Sequence, residues 1–340
     1  MPGALMFQGT GTDVGKSVLV AGLCRLFADR GVSVAPFKPM NMTDNAALVP
    51  DGGEIGRAQW LQALAARRTP SVHMNPVLLK PESDATSRIV CRGKRLGRLG
   101  ADDTPAQRSR LLNAALESYR RVRGQADVVL VEGAGSAAEV NLRAGDIANM
   151  GFARAANLPV VLVADIDRGG VIANLVGTHA VLEPADRALV RGYVVNKHRG
   201  PRHLVDDAIA AIGARTQWPS LGVVPMMPEP ASLPADDAVD VERMGPAASR
   251  RIKIAVPMLL RAANVEDLNP FRLDPDVAVE VVPPGRALPG DADLVVLPGT
   301  EATISDLRFV RAQGWDIDIR AHVRRGGHVL GICGGYQMLG

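Results

Sequence analysis

The 340-residue sequence is poor in cysteine and in aromatic side chains, and it has no long apolar run. Its three cysteines, Cys24, Cys91 and Cys333, lack the spacing of a metal site and cannot all pair with one another. We therefore expect a reducing, cytoplasmic environment. No stretch reaches the roughly 18 uninterrupted apolar residues of a membrane span, and no basic region leads into an apolar signal segment. The sequence thus predicts a protein that does not associate with membranes.

An excess of either charge is also missing. The 39 lysines and arginines and the 36 aspartates and glutamates leave a formal net charge of only +3. The arginines are scattered, so we expect no nucleic-acid partner, which would need a local basic concentration. An apolar content of 47% excludes disorder as the main state. The length predicts two domains, each able to bury its own core.

Short apolar runs alternate with amphipathic stretches along most of the chain, which predicts a parallel sheet with helical crossovers. The candidate buried strands of the first part are Ala4–Phe7, Val32–Phe37, Asp127–Val131, Val160–Ala164 and Gly192–Val195. The candidate helices are Lys16–Arg30, Arg57–Arg67, Pro105–Val122 and Ile147–Ala156. The fold class predicted is therefore α/β.

A proline-rich segment, Pro225–Arg250, interrupts this alternation and indicates a linker or domain boundary. A second series of apolar runs follows it: Ile252–Pro257, Val277–Val282, Leu294–Leu297 and His328–Ile332. The predicted organisation is a first domain over residues 1–230, a linker over 231–250 and a second domain over 251–340.

A glycine-rich loop follows the first predicted strand and precedes the first predicted helix. It reads Gly9-Thr10-Gly11-Thr12-Asp13-Val14-Gly15-Lys16-Ser17, with Thr10 where the standard phosphate-binding pattern has glycine. Backbone N–H groups and a helix N-terminus favour an anion there, and Lys16 can reach the outer phosphates. The Ser17 hydroxyl is placed to hold Mg²⁺. The sequence therefore predicts a nucleotide-phosphate site.

Carboxylates near the predicted strand ends are candidate ligands for that metal. Glu132 follows the strand Asp127–Val131, where doubly wound sheets bind their ligands, so it is a candidate Mg²⁺ ligand. Glu54 could complete the metal shell, and Lys38 could meet a phosphate or a substrate carboxylate. Asp146 lies in a polar turn before a helix, where helix capping is the alternative.

Several stretches in a fixed order resemble one family. The phosphate loop and Val131-Glu132-Gly133-Ala134-Gly135 resemble the dethiobiotin synthetase-like ATPases. More specifically, the sequence resembles the cobyric acid synthases in these stretches: Ala35-Pro36-Phe37-Lys38, residues 51–59, Met74–Pro81, Asn141-Leu142-Arg143, Asp146-Ile147, residues 165–170 and Val195-Asn196-Lys197. The resemblance covers nearly the whole chain.

The resemblance implies a parallel-sheet P-loop synthetase domain followed by part of a flavodoxin-like class I glutamine amidotransferase domain. It implies that ATP, Mg²⁺ and ammonia derived from glutamine convert the b, d, e and g carboxylates of adenosylcobyrinic acid a,c-diamide into amides, through acyl phosphates, in cobalamin biosynthesis. Carried over residue by residue, the nucleotide site would comprise Thr12, Gly15, Lys16, Ser17 and Asn196, with Asn196 at the base. Ser17, Glu132 and Glu54 would hold the metal, and Lys38 and Asp146 would lie near the corrinoid.

The end of the sequence resembles the nucleophile turn of class I amidotransferases. Gly331-Ile332-Cys333-Gly334-Gly335 follows a predicted strand, where a cysteine between glycines projects into a site and the next helix stabilises a thiolate. The resemblance implies that Cys333 attacks glutamine and that the N–H groups of Gly334 and Gly299 stabilise the oxyanion.

Three alternatives stay open at this stage. A cysteine nucleophile needs a histidine base, which this family carries after the cysteine, so the sequence looks truncated within the glutaminase domain and could be an inactive fragment. The chain could instead be a cobyrinic acid a,c-diamide synthase, which has a similar architecture. A regulatory ATPase of the same fold would leave Cys333 unexplained. A homo-oligomer is possible.

Overall fold

A computed structural model describes residues 3–43, 45–83, 86–99, 104–227, 251–263, 265–300 and 302–340. The contacts between α-carbons divide the chain into two compact units, Met1–Pro230 and Ala231–Gly340. The linker predicted over residues 231–250 lies outside the described residues. Within the described ranges, none of the helices combines the length and the apolar character needed to cross a membrane.

The first unit contains twelve strands in the described ranges: β1 (Gly3–Gly9), β2 (Val34–Phe37), β3 (Met40–Met42), β4 (Ala46–Val49), β5 (Gly53–Gly56), β6 (Val77–Ser83), β7 (Thr86–Cys91), β8 (Lys94–Leu99), β9 (Val128–Ser136), β10 (Val160–Asp165), β11 (Val190–His198) and β12 (Ser220–Pro225). Its α-helices there are α1 (Lys16–Asp29), α2 (Arg57–Ala65), α3 (Pro105–Arg123), α4 (Met150–Ala156), α5 (Val171–Val181), α6 (Pro184–Arg187) and α7 (Asp206–Thr216). Two 3-10 helices cover Val140–Gly145 and Arg202–Val205.

Six parallel strands form the central sheet, in the order β12-β11-β10-β1-β9-β2. Every residue of β10 is buried, as expected for a strand covered on both faces. The predicted α/β fold class with a parallel sheet is therefore confirmed. The carboxyl ends of parallel strands share one edge of a sheet, so the loops after β1, β9, β10 and β11 are brought together there.

Helices cover both faces of this sheet, because alternate strand residues point to opposite sides. On one face, Phe7 and Val163 pack against residues of α1 and α2. On the other face the core is larger and receives side chains from α3, α4, α5 and α7. Its centre is an aromatic trio, Phe37, Tyr119 and Phe152, with ring centroids 5.5–5.8 Å apart.

A second, smaller sheet in this unit has the order β3-β6-β7-β8, with β6, β7 and β8 antiparallel. Our sequence analysis placed no strands here. The feature of the sequence that could have predicted the hairpin β7–β8 is Arg92-Gly93, which connects the two strands. Both residues have a positive φ, 49° and 74°, as a two-residue hairpin turn requires. The hairpin β4–β5 is a further element that the apolar pattern did not predict.

The second unit contains β13 (Ile252–Pro257), β14 (Ala262–Ala263), β15 (Val277–Val282), β16 (Leu294–Leu297), β17 (Gly299–Thr300) and β18 (His328–Gly331) in the described ranges. Its helices there are α8 (Asn269–Leu273), α9 (Thr303–Ala312), α10 (Trp315–Arg324) and α11 (Gly334–Gln337), with a 3-10 helix at Val265–Leu268. A parallel sheet in the order β15-β13-β16-β18 is packed on one side against the fully buried Trp315.

Candidate active site

The phosphate loop connects β1 to α1, and its lysine lies inside the loop. Lys16 is 8% exposed, and its Nζ donates to the carbonyl oxygens of Gly135 at 3.0 Å and Gly11 at 3.4 Å. A Cβ at Gly9 would lie 2.6 Å from the Gly11 carbonyl oxygen and 2.8 Å from that Nζ, so the tight turn of the loop favours glycine at this position. The end of β1 and the end of β9 thus flank one cationic centre.

Glu132 lies on β9 beside this loop, and its buried carboxylate is surrounded by donors. Its Oε1 accepts from Ser17 Oγ at 2.8 Å and from Lys38 Nζ at 3.0 Å. Its Oε2 accepts from Gln62 Nε2 at 2.5 Å and from Gln59 Nε2 at 3.4 Å. Ser17 and Lys38, predicted separately from the sequence, therefore both contact the third predicted residue, Glu132.

These contacts keep Glu132 ionised. Burial by itself would raise the pKa of this carboxyl group, because the charged form loses its hydration. The charge of Lys38, the hydrogen bond from Gln62, the charge of Lys16 and the hydrogen bond from Ser17 outweigh burial, so the pKa lies below its ordinary value. The site is consequently a buried negative charge held between two lysines.

Gln59 and Gln62 are functional candidates that sequence reasoning missed. Both lie on α2 and both are fully buried, although glutamine is usually exposed. Asn41 Nδ2 donates to Gln59 Oε1 at 3.2 Å, and Gln62 Nε2 also lies 3.2 Å from the Ser17 carbonyl oxygen. The available signal was their spacing, since residues three apart share one face of a helix.

The remaining nucleotide candidates differ in their surroundings. Thr12 is exposed at the tip of the loop, and Gly15 has a φ of 88° at the start of α1. Asn196, near the end of β11, donates from Nδ2 to the carbonyl oxygen of Val14 at 2.8 Å. It therefore contacts the backbone of the phosphate loop.

Glu54 and Asp146 have other partners. Glu54 forms an ion pair with Lys80 at 2.8 Å, and its role as a metal ligand stays a prediction. Asp146 accepts from the backbone N–H groups of Ala148, Asn149 and Gly151 at 2.7–2.8 Å. These bonds cap the entry to α4, which begins at Met150, later than the predicted Ile147, because Asn149 has a non-helical backbone. The corrinoid contact of Asp146 also stays a prediction.

The donor set at the loop fits Mg²⁺. The Ser17 hydroxyl and the Glu132 carboxylate supply adjacent oxygen atoms, and Mg²⁺ in nucleotide sites takes one or two such ligands together with phosphates and water. A cage of three or more histidine, cysteine or acidic side chains is absent from the described residues. The two oxygen atoms of Ser17 and Glu132 are the ones that would hold Mg²⁺ here.

Cys333 lies between β18 and α11 with φ 49° and ψ −112°, an unusual backbone conformation for a residue other than glycine. Its side chain is exposed. A Cβ at Gly334 would lie 2.5 Å from the Thr300 carbonyl oxygen, and one at Gly299 would lie 3.7 Å from Cys333 Cβ. The two glycines predicted to stabilise an oxyanion thus lie beside the sulfur-bearing residue.

His322, upstream of Cys333 in this unit, makes a structural contact. His322 on α10 is 4% exposed, and its Nε2 lies 2.9 Å from the carbonyl oxygen of His328. This bond ties α10 to the start of β18 and gives the imidazole a structural role.

Comparison with known proteins shows which family combines such a phosphate loop with such a cysteine-containing turn. A family model described as an AAA domain matches residues 3–232, and a CobB/CobQ-like glutamine amidotransferase domain matches residues 253–340. Cobyric acid synthase of Sinorhizobium fredii is 60% identical over 340 residues, which are all of this chain and 70% of that protein. Cobyric acid synthase of Paracoccus denitrificans is 61% identical over 338 residues, 99% of this chain and 70% of its own length. The chain belongs to the cobyric acid synthase family.

Membership of this family agrees with the two family matches, since an ATPase-type domain joined to a glutamine amidotransferase domain fits a glutamine-hydrolysing amide ligase. Among solved structures, the signal recognition particle receptor FtsY from Elizabethkingia anophelis aligns with 66% of this chain and 58% of its own, with a TM-score of 0.38 and 17% identity. A likeness at that level says nothing about function.

Proposed function

We propose that the first unit binds Mg²⁺ and ATP and activates the b, d, e and g carboxylates of adenosylcobyrinic acid a,c-diamide for amidation to adenosylcobyric acid. The observation that carries the proposal is the contact of Ser17 and Lys38 with the buried Glu132 beside Lys16. This arrangement supplies two cations, a hydroxyl and a carboxylate, which are the groups phosphoryl transfer needs. The 60% identity to named cobyric acid synthases supports the choice of substrate.

The chemistry requires activation because a carboxylate is a poor electrophile. The substrate oxygen attacks the γ-phosphorus of ATP, the bond to the β–γ bridging oxygen breaks, and ADP leaves with the electron pair. Ammonia then attacks the acyl carbon of the resulting acyl phosphate, and inorganic phosphate leaves with the proton that the attacking nitrogen gives up. Lys16 neutralises charge on the phosphates, and Lys38 orients the incoming carboxylate. Mg²⁺, when bound at Ser17 and Glu132, would offset further phosphate charge.

We assign the supply of ammonia to the second unit. The Cys333 sulfur attacks the side-chain amide carbon of glutamine, and the N–H groups of Gly334 and Gly299 stabilise the oxyanion. The amide nitrogen takes up the thiol proton and leaves as ammonia, and water then hydrolyses the thioester to glutamate and restores the thiol. The conformation of Cys333 and the close packing of Gly334 on Thr300 support this assignment.

The experiment is amidation of the corrin a,c-diamide by the chain with Mg²⁺ and ATP, using either ammonium or glutamine as the nitrogen source. Mass spectrometry resolves each successive amide. Turnover with ammonium supports the synthetase assignment, and additional turnover with glutamine supports the role of Cys333. Turnover of cobyrinic acid at its a and c carboxylates, without turnover of the diamide, would overturn the choice of substrate.

A pair of lysine variants controls for general damage. Lys16→Ala removes the ammonium inside the phosphate loop, and we expect it to abolish amidation with either nitrogen source. Lys94→Ala alters an exposed lysine at the start of β8, and we expect it to keep the activity of the parent chain. Equal loss in both variants would contradict the role given to Lys16.

A further inference from the structure

Two consecutive residues of β11 bind the backbone of the phosphate loop. Asn196 is 7% exposed, and its Nδ2 donates to the Val14 carbonyl oxygen at 2.8 Å. Lys197 Nζ donates to the Asp13 carbonyl oxygen at 2.6 Å. Neighbouring carbonyl groups of the loop are therefore held by neighbouring side chains of one strand.

The held segment has an uncommon backbone. Asp13 has a φ of 57° and Gly15 a φ of 88°, both in the left-handed region, on either side of Val14. Non-glycine residues such as Asp13 adopt this region at a cost and keep it only when the surroundings impose it. The bonds to the carbonyl groups of residues 13 and 14 are such a constraint.

Packing leaves little room for another arrangement. A Cβ at Gly15 would lie 2.3 Å from Asn196 Nδ2, so the amide lies directly against the loop where α1 begins. Val14 is 5% exposed and packs into the core on the α1 and α2 face. The Val14 side chain thus anchors the phosphate loop in the apolar core, and the Asn196 amide contacts the loop at the start of α1.

The second bond of Lys197 connects the loop to β10. Its Nζ lies 2.8 Å from Asp165 Oδ2, and Asp165 is 4% exposed. Arg168 completes the group, 3.4 Å from the Asp13 carboxylate and 3.9 Å from that of Asp165. Lys197 therefore links β11, the carboxyl end of β10 and the phosphate loop through one ammonium group.

We propose that Asn196 and Lys197 are positioning residues that hold the phosphate loop in its triphosphate-binding shape, and that their contribution to nucleotide affinity is independent of the base. This inference rests on the proposed function, since it assumes that the loop binds ATP. It differs from the base contact that the sequence resemblance implies for Asn196.

A ligand without a base separates the two roles. Inorganic tripolyphosphate offers the loop its phosphates but has nothing for a base-contacting residue. The affinities of ATP, ITP and tripolyphosphate are measured by displacement of a fluorescent ATP analogue in the presence of Mg²⁺. ITP differs from ATP only in the base, so the ATP-to-ITP ratio reports base contacts.

For Asn196→Ala we expect affinity for all three ligands to fall by a similar factor, about tenfold, with an unchanged ATP-to-ITP ratio. Lys197→Met should act in the same direction, and Lys197→Arg, which keeps a donor, should recover part of the loss. In amidation assays, the KM for ATP should rise while the KM for the corrinoid stays constant. A loss confined to ATP, with tripolyphosphate binding unchanged, would overturn the proposal.

Arg199→Gln is the matched control. Arg199 directly follows the end of β11. Its side chain is exposed and pairs with Asp167 instead of the phosphate loop. We expect this variant to bind all three ligands as the parent chain does. The midpoint of thermal unfolding shows whether each variant is folded. If Asn196→Ala does not fold, Lys197→Met provides the test. If the parent chain binds neither ATP nor tripolyphosphate, the proposed function is wrong. If the parent chain binds both ligands, and Asn196→Ala and Lys197→Met bind them as tightly as the parent chain does, only this inference is wrong.

Discussion

Ser17 Oγ donates a 2.8 Å hydrogen bond to Oε1 of Glu132, although 115 residues separate the two in the sequence. The bond joins the first turn of α1 to β9, and the same carboxylate oxygen also binds Lys38 at the end of β2. The first turn of a helix and the residue after a second strand therefore meet at a single buried carboxylate of β9. The predictions below begin with this carboxylate.

Breaking the buried pair of Lys38 and Glu132 should destabilise the first unit. Lys38→Met leaves a buried carboxylate without its bonded cation, and such changes cost about 3–5 kcal/mol. The double variant Lys38→Met/Glu132→Gln removes both charges and should lose less than the sum of the two single changes. Urea unfolding followed by circular dichroism measures this cycle, and strict additivity would show that the pair is not coupled.

The stability of the first unit should depend on pH through Glu132. Its pKa in the folded chain lies below the ordinary value of 4.5, because the surrounding cation and donors outweigh burial. The folded state therefore binds this proton less readily than the unfolded state. The resulting stabilisation is complete above about pH 4.5 and is lost as the pH falls through the folded pKa. Glu132→Gln should flatten the fall in the free energy of unfolding below about pH 4.5, and an unchanged slope there would contradict the assignment.

The three cysteines should react with iodoacetamide at different rates. Burial, with a smaller effect of the Glu132 charge, raises the pKa of Cys24 to about 12, so roughly one thiol in 10,000 is ionised at pH 8. Cys333 is exposed and Cys91 is half-buried. Peptide mapping after brief labelling should find Cys333 modified first and Cys24 unmodified. Labelling of all three in urea is the control, and early modification of Cys24 in the folded chain would contradict its burial.

Two glycine substitutions in the second unit should have different effects. A Cβ at Gly335 would lie 2.1 Å from the Leu297 carbonyl oxygen, so Gly335→Ala forces α11 away from β16. Gly290 is exposed with open space around it, and Gly290→Ala should be nearly neutral. We expect Gly335→Ala to lower the free energy of unfolding of this unit by about 1–3 kcal/mol. Thermal unfolding of the two variants gives the comparison, and equal midpoints would show that the turn accommodates a side chain.

The sequence predicted the central sheet because its strands are buried on both faces and therefore appear as continuous apolar runs. Val160–Ala164, for example, was predicted and Val160–Asp165 is observed. The polar residue at the end was missed because the apolar pattern stops before the strand does. The second sheet contains Lys80, Arg88 and Arg95 among its strand residues, so periodicity gave no comparable signal.

For the candidate site, local motifs predicted the residues but not their mutual contacts. Ser17 and Glu132 were each found from their position after a strand, and the glycine pattern located Cys333. Gln59 and Gln62 were missed because a glutamine carries no chemical motif, and only burial on the inner face of α2 distinguishes them from surface residues. The contacts that make them candidates are with residues distant in the sequence, and the order of residue types along the chain does not reveal such contacts.

The central position of β1 has a consequence for how the chain is made. β1 is synthesised well before its two neighbours, β9 and β10, which begin at Val128 and Val160. At about 5–20 residues per second, the ribosome needs roughly 6–24 s to reach β9 after β1. During that interval Leu5, Met6 and Phe7 lack the strand partners that they have in the finished sheet. Among the described strands, the one in the middle of the finished sheet is thus the one that waits longest for its partners during translation.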